Sequence, residues 1–155
     1  MTAMPVPSSA DAPELDQTEV AGRLRLSVTR LSRILRQQAD LGLTASQLTA
    51  LATISREGPL TLGALAEVEH VSPPTITKIV EKLEALGVIE RRIDDDDRRR
   101  ILAATTQAGE DLLAEGRARK NAILITRMAQ LDADQVARLA EALDALDALA
   151  GTERP

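Results

Sequence analysis

Residues 71–92 read VSPPTITKIVEKLEALGVIERR, and they contain the clearest signals for the fold. Ser72 is a favourable N-cap residue, and a proline at the first helical position gives up an amide proton that has no intrahelical partner. The stretch therefore predicts a helix that begins at Pro73 and ends at Gly87. Apolar residues recur along it at helical spacing and predict its buried face: Ile76, Ile79, Val80, Leu83 and Leu86.

The other face of this helix is polar. It carries four outward-pointing side chains that are small or cationic: Thr75, Thr77, Lys78 and Lys82. Hydroxyl and ammonium groups at this end of a helix are able to reach base edges and phosphates in a major groove. Ordinary surface charge, with Lys78 paired to Glu81, is the alternative explanation for the lysines.

Three helices are predicted upstream. Thr44 with Gln47 three residues on is a capping box, and the helix that it starts ends at the Gly-Pro pair of residues 58–59. A shorter helix follows Thr61. A longer helix from about 11 to about 40 precedes both, since apolar residues recur on one of its faces: Val20, Leu24, Val28, Leu31 and Leu35.

Downstream, the hydrophobic period changes. Residues 88–92 and 100–105 predict two short strands joined by a charged tip, DDDDRR at 94–99. A helix from about Thr106 to Gln130 follows, and a last helix is capped by Asp132 with Gln135 behind it. The last helix carries an apolar seam: Val136, Leu139, Leu143, Leu146 and Leu149.

Two short helices, a tight turn and a two-stranded ribbon follow the order of a winged helix-turn-helix. The fold class predicted is mainly α with a small two-stranded wing, flanked by N- and C-terminal dimerisation helices. Arg98 and Arg99 at the wing tip are candidates for the minor groove, whose negative potential favours an inserted arginine. The four aspartates beside them repel phosphates, but one of them could hold an arginine extended and lower the entropic cost of inserting it.

Composition excludes several classes of function. The 155 residues include 19 Lys plus Arg and 24 Asp plus Glu, for a net charge of −5, so DNA contact requires a local basic patch. Cysteine and aromatic residues are absent and there is one histidine, which excludes thiolate chemistry and Cys- or His-rich metal sites. No catalytic motif is recognisable, and consecutive acids do not converge as an EF-hand does. We expect no enzyme activity, cofactor, metal or membrane segment, and a cytoplasmic location.

The chain resembles the MarR family of winged-helix transcriptional regulators over roughly residues 15–150. The resemblance lies in residues 60–92, in the wing sequence DDDDRRRILAATTQAGEDLL and in its Thr-x-x-Gly. It implies that Asp97 orients Arg99, which enters the minor groove. The wing has more acids than the family pattern, and the chain lacks the rings of aromatic-lined pockets, so any effector pocket is aliphatic with a few polar groups. The resemblance further implies that six residues face DNA: Ser72, Pro74, Thr75, Thr77, Lys78 and Lys82.

The sequence predicts a disordered tail at 1–10, one domain at 11–150 and a short tail at 151–155. Within the domain, 44–105 form the winged helix-turn-helix, and 11–41 and 106–150 form the dimerisation helices. The leucine seams of these helices carry more apolar surface than a small DNA-binding module buries. They are able to pair with a symmetry mate. An intrachain core is the alternative explanation for the leucines. A two-fold dimer places its recognition helices about 34 Å apart and predicts a pseudo-palindromic operator.

The leading functional prediction is a homodimeric regulator of double-stranded DNA, a repressor released by a small-molecule effector. The sequence assigns no residue to the effector site. The alternative is a winged-helix module that docks protein and no longer binds DNA, for which the net acidity gives support. Salt-dependent binding to duplex DNA distinguishes the two functions.

Overall fold

A computed structural model describes residues 16–151 of the chain. The predicted order of elements is confirmed, with one additional short strand. The predicted helix start near residue 11 and both predicted tails, apart from Gly151, lie outside the described residues. The elements are α1 (Gln17–Gln38), α2 (Ala45–Glu57), β1 (Leu60–Thr61), α3 (Leu62–Val68), α4 (Pro73–Ala85), β2 (Ile89–Ile93), β3 (Ile101–Thr105), α5 (Gln107–Met128) and α6 (Ala133–Ala150).

The described residues form two compact units that divide between Gln37 and Gln38. Nearly all of α1 belongs to the first unit, and the other elements belong to the second. Both predicted capping boxes are present in the second unit: Thr44 with Gln47 begins α2, and Asp132 with Gln135 begins α6. In each box the N-cap side chain and the side chain three residues on satisfy two otherwise unpaired amide groups.

The predicted two-stranded wing is confirmed as the hairpin of β2 and β3. A third strand that the sequence did not predict, β1, completes an antiparallel sheet in the order β1-β3-β2. In the hairpin, Ile89 lies opposite Thr105 and Ile93 lies opposite Ile101. The third strand, β1, is two residues long and pairs with the central residues of β3. Two residues are too short to show an alternating pattern, so only their backbone pairing identifies them as a strand.

The core of the second unit forms around the apolar face of α4. Ile76, Val80 and Leu83 of α4 are fully buried. The other large side chains buried with them come from α2, α3 and β2: Leu51, Ile54, Leu65 and Ile89. Because one stripe of α4 is buried in this cluster, the opposite stripe of the helix must face solvent.

The predicted buried face of α4 was wrong at its C-terminal end. Leu86 is 57% exposed, and Ile79 is only partly buried. The helix ends at Ala85 rather than Gly87, and Leu86 is its C-cap residue. Gly87 then adopts a φ of +71° and turns the chain toward β2, so Leu86 lies beyond the last turn that packs on the core.

The turn between α3 and α4 is a Schellman motif. The Val71 N–H donates to the Ala66 carbonyl at 3.0 Å, and the His70 N–H donates to the Glu67 carbonyl at 3.2 Å. His70 has a φ of +51°, the left-handed conformation that Gly87 adopts after α4. The hydroxyl of buried Thr53 in α2 donates to the Glu69 carboxylate at 2.6 Å. These bonds fix the direction in which the chain enters α4.

The Thr-x-x-Gly spacing at 106–109 joins α5 to the turn between α4 and β2. The Thr106 side chain accepts from the Gly109 N–H at 3.2 Å and donates to the Gly87 carbonyl at 2.7 Å. A Cβ at Gly109 would overlap the carbonyl oxygen of Val88 and lie 2.7 Å from Cγ2 of Thr105. Only glycine permits this close approach of α5 to the backbone.

The two terminal helices differ from the rest of the structure. Neither α1 nor α6 contains a buried residue, although both carry apolar side chains at helical spacing. No helix within residues 16–151 is long and apolar enough to cross a membrane.

We predict that Gly109→Ala lowers the free energy of unfolding by about 1 to 3 kcal/mol or more, because the Val88 backbone cannot yield easily. Gly63→Ala is the matched control. Gly63 also lies in a helix, but its added Cβ meets no atom closer than 4.0 Å. Denaturant unfolding followed by circular dichroism should show Gly63→Ala as stable as the wild type or more stable. Equal effects of the two substitutions would contradict the proposed close contact.

Candidate nucleic-acid interface

The exposed face of α4 presents a hydroxyl and two ammonium groups. Thr75, Lys78 and Lys82 are exposed, as predicted. Thr77 was predicted to point outward, but it is only partly exposed, and its hydroxyl donates to the Pro73 carbonyl at 2.9 Å. The reason is that a threonine hydroxyl on a helix reaches the carbonyl one turn back. Thr77 therefore keeps only acceptor capacity toward an outside group.

Ser72 occupies the N-cap position of α4, but its side chain makes no capping hydrogen bond. Its Oγ lies 2.8 Å from Oγ1 of Thr75 instead. One hydroxyl of this pair donates to the other, so the second keeps a free proton. Pro74, also exposed, supplies no amide proton beside the pair. The first turn of α4 therefore offers a small surface with one free hydroxyl donor.

Neither lysine of α4 forms an ion pair with any described residue, so the alternative pairing of Lys78 with Glu81 is not observed. Both lysines line a groove of about 300 Å³ between α4 and the N-terminal end of α2. No carboxylate is among the residues that line it: Thr44, Gln47, Pro74, Thr75, Lys78, Ile79 and Lys82. The groove is a locally basic site in a chain of net charge −5.

Sequence reasoning did not assign the α2 residues of this groove to the site. Thr44 and Gln47 were recognised only as a capping box, which is a local signal. Their position beside α4 depends on how α2 packs against α4, and no spacing in the sequence reports that packing. A polar residue at the start of a helix that flanks a basic helix is the one signal that would have suggested it.

The wing tip is held by hydrogen bonds that involve three of its four aspartates, Asp94, Asp96 and Asp97. The Asp94 N–H donates to the Arg100 carbonyl at 3.0 Å, and the Arg100 N–H donates to the Asp97 carbonyl at 2.8 Å. The Asp94 side chain accepts from the Asp96 N–H at 2.9 Å. The run of acids is therefore partly structural, since aspartates stabilise tight turns by accepting hydrogen bonds from backbone N–H groups.

Asp97 also holds the arginines that follow it. Its Oδ1 accepts from the backbone N–H of Arg99 at 3.1 Å and from the Arg99 Nε at 3.2 Å. Its Oδ2 lies 3.6 Å from Nε of Arg100. The Arg99 side chain is 92% exposed, so the bond at Nε orients the arginine while its terminal nitrogens remain in solvent. Arg98 is also exposed and makes no hydrogen bond or ion pair with the described residues.

These contacts lower the pKa of the Asp97 carboxyl below its ordinary value of 3.8. The main cause is the hydrogen bond from the Arg99 N–H, followed by the bond from its side chain, and Arg100 adds a favourable charge interaction. Because the pKa of Asp97 is lower in the folded protein, its carboxylate stabilises the wing fully at any pH above the pKa that Asp97 has in the unfolded chain. This stabilisation is lost as the pH falls through the pKa of Asp97 in the folded protein. The wing pairing is therefore intact at neutral pH.

The pairing of Asp97 with Arg99 is the arrangement that the family resemblance implied, and Arg100 is a partner that sequence reasoning missed. Among residues 16–151, no three His, Cys, Asp or Glu side chains lie close enough to hold a metal ion.

Comparison with known proteins identifies the family. The MarR family model matches residues 43–101. An HTH-type transcriptional regulator of Mycobacterium leprae is 34% identical over 126 residues, which cover 81% of this chain and 88% of the relative. The HTH-type transcriptional repressor NicR of Pseudomonas putida is 35% identical over 117 residues, 73% of this chain and 74% of NicR.

Solved structures show the same fold. A mutant of S. aureus MepR bound to an oligodeoxyribonucleotide superimposes with a TM-score of 0.68 at 21% identity, covering 84% of this chain and 97% of that chain. The wing and the helices before it thus form a winged helix-turn-helix, as predicted from residues 71–92. The chain belongs to the MarR family and is a transcriptional regulator with a DNA-binding helix-turn-helix.

Proposed function

We propose that this regulator is a homodimeric repressor that binds a pseudo-palindromic operator and is released by a small-molecule effector. The observation that carries the proposal is the wing tip, where Asp97 accepts a hydrogen bond from Nε of Arg99 while the Arg99 side chain stays 92% exposed. The relationship to NicR, a named repressor, supports repression rather than activation. The residues proposed to face DNA are Ser72, Pro74, Thr75, Thr77, Lys78, Lys82, Asp97, Arg98 and Arg99.

In this proposal α4 enters the major groove. Its exposed first turn is compact, since Pro74 and the bonded pair of Ser72 and Thr75 allow close approach to base edges. The free hydroxyl donor and the acceptor capacity of Thr77 supply hydrogen bonds to bases, whereas Lys78 and Lys82 supply charge to phosphates.

The wing tip reaches the adjacent minor groove. Arg99 is already oriented by Asp97 before DNA is present, so less side-chain entropy is lost when it inserts. Arg98 has no partner among the described side chains and is available to neutralise a phosphate. The repulsion between the wing acids and DNA phosphates is reduced, because the carboxylate of Asp97 is already paired with two arginines.

The terminal helices support a homodimer. No residue of α1 or α6 is buried within one chain, although the two helices are 22 and 18 residues long. Helices of this length obtain most of their stability from burying an apolar face, so a partner surface is required. The large apolar side chains left exposed in α1, in α6 and near the end of α5 are Val20, Leu26, Val28, Leu31, Ile125, Met128, Leu131, Leu139, Leu143 and Leu149.

The effector site that we propose is a groove of about 560 Å³ in the second unit. It combines aliphatic surface with the guanidinium of Arg127 and has no aromatic ring, and its lining is Gln38, Ala122, Ile123, Thr126, Arg127 and Gln130. A small organic anion fits this chemistry. An effector bound there releases the operator if it favours a dimer whose recognition helices no longer match the half-site spacing.

For the effector site, we expect compounds that release labelled operator from the wild-type protein to lose that effect on Arg127→Ala. Operator affinity without compound should stay unchanged in this variant. Equal release of the wild type and the variant would place the effector elsewhere.

For the wing, we predict that Asp97→Ala, which removes the acceptor that holds Arg99, weakens operator binding by about 0.5 to 1.5 kcal/mol, the usual cost of immobilising a flexible side chain. The direction is informative, because removing a negative charge near DNA would by itself tighten binding. Arg99→Ala should weaken binding by about 1 to 3 kcal/mol. Fluorescence anisotropy with labelled operator measures both effects.

The matched control for the wing is Arg56→Ala, which removes an exposed arginine paired with Glu57 at the end of α2. It should leave affinity nearly unchanged. Tighter binding by Asp97→Ala would show that Asp97 acts as a repelling charge and does not position Arg99.

For the dimer, we predict that Leu143→Asp shifts the protein toward monomer in sedimentation velocity while its helical content is retained. Leu143 is 43% exposed in one chain, so a charge there costs little unless a partner covers it. Ala145→Asp is the control, because Ala145 is exposed on the opposite side of the same helix. A dimer that tolerates Leu143→Asp as well as Ala145→Asp would exclude this seam as the interface.

A further inference from the structure

We propose that Gln47, at the start of α2, is a further DNA-contacting residue, and that the groove between α2 and α4 holds a backbone phosphate of the operator. The inference rests on the proposed function, because it requires α4 to lie in a major groove. It adds a third element, α2, to an interface so far built from α4 and the wing. It also gives the capping-box glutamine of α2 a role in DNA binding.

The first observation is the fixed orientation of the Gln47 side chain. Its Oε1 accepts from the Thr44 N–H at 2.9 Å, and its own N–H donates to the Thr44 hydroxyl at 3.3 Å. The capping box therefore uses the amide oxygen and leaves the amide nitrogen with two protons. No hydrogen bond to Nε2 of Gln47 is formed by any residue that the structure describes.

The second observation is the charge of the groove. Gln47 shares it with the ammonium groups of Lys78 and Lys82, neither of which is paired with a described carboxylate. The hydroxyl of Thr75 lies on the same surface. The unengaged nitrogen groups of Gln47, Lys78 and Lys82 thus all donate hydrogen bonds and accept none. Phosphate oxygens only accept, so they match this set.

The width of the major groove determines which part of DNA meets the flank of an inserted helix. The major groove is about 12 Å wide and a helix with its side chains is about 10–12 Å across, so the phosphates at the groove edges lie against the flanks of an inserted helix. The groove lined by Gln47, Lys78 and Lys82 lies on one flank of α4. A backbone phosphate is therefore the group that this flank meets when the first turn of α4 reaches the bases.

The experiment uses Gln47→Glu in the full chain. Glutamate is a regular capping-box residue, so Oε1 is still able to accept from the Thr44 N–H and the helix start is preserved. The two donor protons are replaced by a negative charge facing the phosphate. We expect operator affinity, measured by anisotropy, to fall by about tenfold or more, since hydrogen bonds to charged groups contribute that much.

The matched control is Gln135→Glu, which makes the same change at the same position of the Asp132 capping box in α6. It should leave affinity within about twofold of the wild type by the same reasoning, since the added charge lies outside the DNA-facing surface. Circular dichroism should give both variants the thermal stability of the wild type. Gln47→Ala, which removes the donor without adding charge, should lie between the wild type and Gln47→Glu in affinity.

A phosphate contact carries no sequence information, so Gln47→Glu should weaken binding to operator variants by the same factor and preserve their order. A changed order would assign Gln47 to a base and overturn the inference. Equal affinities of Gln47→Glu and Gln135→Glu would also overturn it while leaving the proposed function intact. Wild-type protein that selects no DNA would instead overturn the proposed function, and the inference with it.

Discussion

The burial of one face of α4 is the constraint on which the rest of the site depends. Ile76, Val80 and Leu83 are completely buried against residues of α2, α3 and β2. This packing fixes the rotation of the helix about its axis, so that its lysines must face solvent on the other side. The Schellman turn at His70 and the bond from Thr53 to Glu69 fix the point at which the helix begins. The apolar contacts on the buried face of α4 therefore determine which polar groups its other face presents to solvent.

The wing solves a different problem, which is to present arginines from an acidic loop. A net charge of −5 and four consecutive aspartates would disfavour DNA if all of those charges were free. Asp94 and Asp97 instead accept backbone protons that shape the tip, and Asp97 is also paired with Arg99 and Arg100. The acids thus help to fold the tip, while Arg99 stays 92% exposed and Arg98 is exposed beside it. Local arrangement of charge, and not total charge, decides what this surface binds.

Features encoded by neighbouring residues were predictable from the sequence. Both capping boxes, the start of α4 at Pro73 and the outward position of Lys78 and Lys82 follow from spacings of a few residues. Features that depend on distant segments were not predictable in the same way. The strand β1 exists only through its pairing with β3, and Leu86 is exposed because the chain turns at Gly87. The groove that joins Gln47 to α4 likewise depends on helix packing, so the sequence reported only its local role as a cap.

In the proposed function, a two-fold dimer of this regulator places two winged modules on one operator. The most direct test is selection of genomic fragments by the purified full chain, followed by anisotropy with labelled DNA at two salt concentrations, since the chain has no Trp or Tyr to report binding itself. We expect a pseudo-palindrome whose half-site centres lie about 34 Å apart, bound with an affinity that falls steeply with salt. Failure of the folded protein to enrich any sequence, or binding that does not depend on salt, would contradict it and favour a winged helix that docks protein.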